Sequence, residues 1–255
     1  MTIDPVWGWA VLLGVLGLVF GSFIATLAIR WPAGRAISHG RSECDSCGKG
    51  LRAGELVPVL SYLLQRGRCR GCGAPIRMNH VLTELIGGAI GVAAAIASPD
   101  PAGAAGAVFG WLLLTLAALD VAALWLPNAL TAALAATGLG TGLLGLNPPL
   151  DERLIGGAAG FGVLWLVAWG YKRLRGRQGL GGGDPKLFGG IGLWLGWHAL
   201  PLVLLAACLI GFAGIFGLML GGHKVTATDR LPFGVMLAAA AFAVWLGLAI
   251  GPIPG

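Results

Sequence analysis

Apolar stretches of membrane-spanning length fill most of this chain, and they leave little choice of fold. They cover residues 6–29, 80–98, 104–120, 128–146, 154–171, 186–197, 199–220 and 231–250. A helix needs about 20 apolar residues to cross the hydrocarbon core, with roughly 17 to 25 workable. Most of these stretches qualify. The stretch 186–197 is short, and reads as a half-helix or as joined to 199–220 around Pro201. The 255 residues are 56% hydrophobic and only 11% charged, where a soluble domain carries about 25% charge. The expected fold is an all-α polytopic membrane protein with about eight transmembrane helices, six to eight being possible. The first stretch, Val6 to Ile29, follows a start without basic residues and reads as a retained helix rather than a cleaved signal. Gly14, Gly17 and Gly21, and likewise Gly87, Gly88 and Gly91, are spaced to let helix backbones approach closely. Trp7, Trp9, Trp31, Trp194 and Trp197 fall near expected membrane boundaries, where indole rings anchor.

Residues 30–79 are the polar exception, rich in Gly, Pro, Ser and charge. The organisation is therefore a first transmembrane helix (1–29), a small insertion (30–79) and a helical bundle (80–255). If crossings alternate, 30–79, 172–186 and 221–230 share one side of the membrane and hold every Lys and Arg except Arg153. By the positive-inside rule that side is the cytoplasm. Its excess positive charge suits contact with anionic lipid headgroups.

Within the insertion, Cys44-Asp-Ser-Cys47 and Cys69-Arg-Gly-Cys72 are two Cys-x-x-Cys knuckles, each followed by glycine, with 21 residues between them. The common zinc-ribbon spacer is about 15 to 20 residues. Four thiolates suit tetrahedral structural zinc, which would stabilise an insertion too small to build much of a core. The alternative is two disulfides or four free thiols, and a reducing cytoplasm disfavours the disulfides. Nucleic-acid binding is disfavoured because Leu56-Val-Pro-Val-Leu60 and Tyr62-Leu-Leu64 make the intervening segment apolar. It is better suited to docking on membrane or bundle. Cys208, alone in an apolar helix, is expected simply to pack.

Two acids sit where a membrane protein seldom places them. Asp120 closes the run from Trp111, and Asp184 follows three glycines at the head of another run. An ionisable group there marks function or a specific partner by default. Both acids fall at cytoplasmic helix ends and can meet. Two carboxyls sharing a site do not both ionise easily, so one can act as base while the other donates. The alternative is that Asp184 pairs with Lys186 or caps its helix. Glu84 lies about one turn inside the second long helix, as a partner for Arg77 or as a functional acid.

The order of these motifs resembles the bacterial type IV prepilin peptidases, bifunctional leader peptidase and N-methyltransferase enzymes of the GxGD aspartyl protease group. Gly21-Ser-Phe23 and Arg30-Trp-Pro32 come first, then the two knuckles around Glu55-Leu-Val-Pro58 and Arg66-Gly-Arg-Cys69. Glu84, Asp120 with Leu126-Pro-Asn128, Gly181-Gly-Gly183-Asp184 and Leu231-Pro-Phe-Gly234 follow. Asn128 stands where family members often carry Asp, and Val235 where Pro is frequent.

The resemblance implies that Asp120 and Asp184 are the catalytic pair and that Cys44, Cys47, Cys69 and Cys72 hold zinc. The substrates it implies are the N-terminal helices of prepilins and type II secretion pseudopilins, cut on the cytoplasmic side of the bacterial inner membrane. It further implies N-methylation of the new amine from S-adenosylmethionine, for which Glu84 is the candidate residue. Two rival readings exist. A proton-coupled transporter would use Asp120 and Asp184 as a relay at mid-membrane, and a membrane-anchored zinc adaptor would not need them.

Overall fold

A computed structural model describes residues 5–35, 42–44, 46–177, 179–222, 226 and 231–251. Arg41, Lys224 and Arg230 of the basic side lie outside them. The described residues form helices without a β-strand: α1 (Pro5–Arg30), α2 (Leu60–Leu64), α3 (Met78–Ala97), α4 (Pro101–Ala123), α5 (Asn128–Leu143), α6 (Leu150–Arg175), α7 (Asp184–Leu195), α8 (Leu200–Leu220) and α9 (Phe233–Ile250). Each of the eight apolar stretches has become one of the longer helices. Six of them, α1, α3, α4, α6, α8 and α9, are long and apolar enough to cross a membrane. The other two are shorter, α5 with 16 residues and α7 with 12. At a rise of about 1.5 Å per residue both fall short of the roughly 30 Å hydrocarbon core. The count of six sits at the lower end of the expected range.

The chain divides into two compact units, Met1–Trp111 and Leu112–Gly255. In the first, α1 lies along α3 on the two glycine rows. A Cβ on Gly17 would run into the Gly87 carbonyl, and one on Gly21 would stand 2.6 Å from the Glu84 backbone. The pair can be this close only because neither row carries side chains. Trp111 closes the unit by donating its indole N–H to the Gly87 carbonyl at 3.0 Å and by packing on Phe20, ring centres 4.8 Å apart. Asp100 caps α4, accepting the amides of Ala102 and Gly103 at 2.8 and 3.1 Å.

The cysteine module between α1 and α3 is two matching turns. In each, the first cysteine of the knuckle pairs with the residue five positions on, Cys44 with Lys49 and Cys69 with Ala74, both at 2.9 Å. Gly48 and Gly73 turn the chain at φ 69° and 74°, a left-handed conformation that favours glycine. Leu63 and Leu64 of α2 are each 64% exposed.

In the second unit α7 is the hub. It contacts α5, α6, α8 and α9 and buries nearly its whole length, from Asp184 through Leu195. Pro185 starts it, and Gly196 at φ 73° ends it. Its partners receive it through more glycines: a Cβ on Gly160 of α6 would stand 2.7 Å from the Phe188 carbonyl. Trp194, expected at the membrane boundary, is instead buried and donates to the Leu134 carbonyl at 2.8 Å. Cys208 is exposed on α8.

Candidate active site

Asp120 lies in the last turn of α4 and Asp184 is the first residue of α7. Each is 5% exposed. Neither lies mid-helix, because the chain breaks just after one and just before the other. Past α4, Leu124 takes φ 50° and Pro127 opens α5. Before α7, three glycines let the backbone fold back, so that the Gly181 amide donates to Asp184 Oδ2 at 2.8 Å.

Leu126 joins the two surroundings. A Cβ on Gly183, beside Asp184, would stand 2.6 Å from Leu126 Cβ. Gly234, at the start of α9, faces both Leu126 and Asp120: a Cβ there would stand 3.3 Å from Leu126 Cδ1 and 2.8 Å from Asp120 Oδ2. The next amide, that of Val235, donates to the same Oδ2 at 3.3 Å. Segments far apart in sequence thus close around the two carboxyls. Burial first, and then the charge of Asp120, push the Asp184 carboxyl up to about 6, against the opposing pull of the Gly181 amide. That is the behaviour of two acids sharing a site. Such an arrangement can hold one carboxyl protonated and one ionised near neutral pH, which is what amide hydrolysis by acid and base requires.

Lys186 is not the partner of Asp184. It donates to Asn128 Oδ1 at 2.6 Å, bridging the start of α7 to the start of α5. Beside that bridge runs an open groove of about 420 Å³, lined by Asn128, Thr131, Phe161, Lys186 and Leu193 among others. Glu84 does not pair with Arg77. It is 7% exposed and accepts the Val59 amide at 2.8 Å. Sequence reasoning missed Gly234 and Val235 as neighbours of an acid, although Leu231-Pro-Phe-Gly234 was a legible motif.

It also missed Arg153, which is 1% exposed in α6. Its guanidinium donates to the carbonyls of Pro148, Gly138, Leu193, Trp194, Leu146 and Asn147 at 2.7 to 3.2 Å. It ties the far end of α7 to α5 and to the turn before α6. The signal was an arginine just inside an apolar helix.

The four cysteine sulfurs lie within 4.8 Å of one another, with Cys44 and Cys72 at 4.0 Å. Tetrahedral zinc at about 2.3 Å from each sulfur needs sulfurs on the order of 3.8 Å apart, so the set fits after a small contraction. The amides of Cys72 and Gly71 hold the Cys69 thiol down to about 6, which favours a thiolate. No disulfide joins these cysteines.

Residues 15–98 match the model of the bacterial peptidase A24 N-terminal domain, and residues 107–216 that of the type IV leader peptidase family. The chain is 42% identical over 253 residues to the prepilin leader peptidase/N-methyltransferase of Burkholderia pseudomallei (strain K96243), covering 88% of this chain and 81% of that one. It is 41% identical over 213 residues to the protein of the same name from Aeromonas hydrophila, covering 83% and 72%. The Dickeya chrysanthemi protein of that name is 33% identical over 255 residues, covering 90% and 89%. No solved structure matches the chain.

Proposed function

Because the chain belongs to the type IV leader peptidase family, we propose that it is a membrane aspartyl peptidase that removes the leader from prepilins and then N-methylates the new N-terminus. The observation that carries the peptidase reading is the pair of buried acids, Asp120 and Asp184, enclosed around Leu126. The ionised member of the pair takes a proton from water, whose oxygen bonds to the scissile carbonyl carbon. The protonated member donates to the carbonyl oxygen. Collapse breaks the C–N bond: the departing amine takes the proton that the base removed from water, and the re-forming carbonyl returns its proton to the other carboxylate. The pair titrates as a unit, so neither role belongs to one residue.

The groove beside Lys186 supports a substrate helix laid against the bundle, because it is open and Lys186, which lines it, lies two residues from Asp184. Prepilins and type II secretion pseudopilins, with a basic leader ahead of an apolar helix, are the substrates of this reading. We place the acids on the cytoplasmic side of the bacterial inner membrane, on the asymmetry of Lys and Arg, with the basic residues and the exposed leucines of α2 against lipid. Cys44, Cys47, Cys69 and Cys72 would hold a structural zinc, since four thiolates leave no open position for water. S-adenosylmethionine supplies the methyl group, and Glu84 is the residue we assign to that step.

Nothing in the comparisons supports the proton-relay transporter. A relay needs acids at mid-membrane, and these two lie at helix ends. Incubating the purified protein in detergent with a prepilin and S-adenosylmethionine, and reading the product by mass spectrometry, tests the proposal. The expected product has lost its leader and gained one methyl group. An uncut prepilin would count against the peptidase reading, and a cut but unmethylated one against the transferase.

A further inference from the structure

One cavity belongs to the first unit. It measures about 190 Å³ and opens between the cysteine module and the α1–α3 pair. Glu84 lines it from α3, buried, and is the one acid of that helix. One carboxylate oxygen accepts the Val59 amide, and among the described residues no other hydrogen bond or ion pair engages the carboxylate. Val59 holds this position at φ 60°, which is rare and strained for a β-branched residue. A strained loop thus delivers a single amide to a buried carboxylate. A buried carboxylate without a cation is costly unless a cation arrives.

The rest of the wall fits a zwitterion. Arg30 and Arg77 supply positive charge, Ser22 and Thr26 supply hydroxyls, and Tyr62 supplies an aromatic face. Arg30 is partly engaged already, with Glu43 at 4.0 Å. The volume is below the roughly 300 Å³ at which pockets begin to enclose a drug-sized ligand, so it suits the charged end of a larger molecule.

We propose that this cavity receives the sulfonium amino-acid end of the methyl donor, with the Glu84 carboxylate facing the sulfonium. The proposal rests on the N-methyltransferase reading above. In the transfer, the lone pair of the free amine bonds to the methyl carbon. The carbon–sulfur bond breaks and leaves its electrons on a neutral thioether, and the methylated nitrogen then releases a proton to water. Positive charge passes from sulfur to nitrogen, and a carboxylate beside both compensates it throughout. The site consequently prefers the charged donor to the spent thioether.

Titration calorimetry of the full-length protein with S-adenosylmethionine and with S-adenosylhomocysteine tests this, alongside cleavage activity and zinc content. Glu84→Gln keeps an oxygen for the Val59 amide and removes the charge. It should weaken binding of the donor about tenfold or more, as expected for losing one charged contact, while binding of the thioether, cleavage and zinc stay close to wild type. Glu84→Ala, which also removes the acceptor, should lower zinc retention or melting temperature as well. Unchanged donor affinity in Glu84→Gln overturns the proposal, as does an equal loss for donor and thioether. If the wild type binds neither molecule, the transferase reading itself fails.

Discussion

Gly234 stands where any side chain would collide with Asp120: a Cβ at that position would lie 2.8 Å from Oδ2. The same Oδ2 accepts the amide of Val235. The start of α9 therefore fixes one carboxyl oxygen of an acid on α4, with Leu126 as the other neighbour of the glycine. Gly234→Ala should push the Asp120 carboxyl out of place without unfolding the bundle. The expected result is a fall in kcat of about tenfold or more, on the scale that small misplacements of reacting groups cause, with KM and melting temperature near wild type. Full activity in this variant would mean that the position of Asp120 is not critical.

Asp184 gives a pH signature. Its folded-state value near 6 lies above the ordinary 3.8, so between those two values the folded protein binds more protons than the unfolded chain. Stability then falls as pH rises through that window, and above about 6 the full cost of the ionised acid remains. Asp184→Asn removes the cost. Its melting temperature should match wild type at pH 4 and exceed it at pH 8. A difference that does not change with pH would show that Asp184 ionises without penalty.

Arg153 satisfies six backbone carbonyls at the ends of α5 and α7 and in the turn before α6. Arg153→Met would remove this donor from all six in a buried place, although Gly138 would keep the Thr141 hydroxyl. The expected loss is about 3 kcal/mol or more, read as a lower melting temperature in detergent. Arg153→Lys, with three donors, should fall between.

The helices were legible in the sequence because apolar length alone defines them in a membrane protein. That α1 and α3 each carry a close-approach face was legible too, from their rows of glycines, though not that the two rows meet each other. The cysteine turns followed from spacing. What stayed hidden is what depends on meetings far along the chain. Gly234 and Val235 reach Asp120 across more than a hundred residues, and Glu84 meets Val59 from a different element, so no local pattern announces either. Arg153 stood out only as the basic residue outside the three cytoplasmic segments, because its backbone carbonyl partners carry no side-chain signal. Trp194 misled for a related reason: its place near the end of an apolar run fits an interfacial ring, but α7 is too short and too enclosed to present one.

Zinc is the next expectation. Protein purified without chelator should carry one zinc per chain, and Cys44→Ser or Cys69→Ser should each lower the metal content sharply, as measured by elemental analysis. Unchanged content in both variants would place the metal elsewhere.

The central claim is that Asp120 and Asp184 hydrolyse the peptide together. The most direct measurement compares prepilin cleavage by wild type, Asp120→Asn and Asp184→Asn at equal amounts of folded, membrane-extracted protein. Asparagine keeps the shape of each side chain and can serve neither as base nor as acid. Each variant should lose cleavage on the order of 10⁴-fold, the scale seen when a catalytic unit is broken, while still methylating a pre-cleaved substrate. Cleavage near the wild-type rate in either variant would contradict the pair.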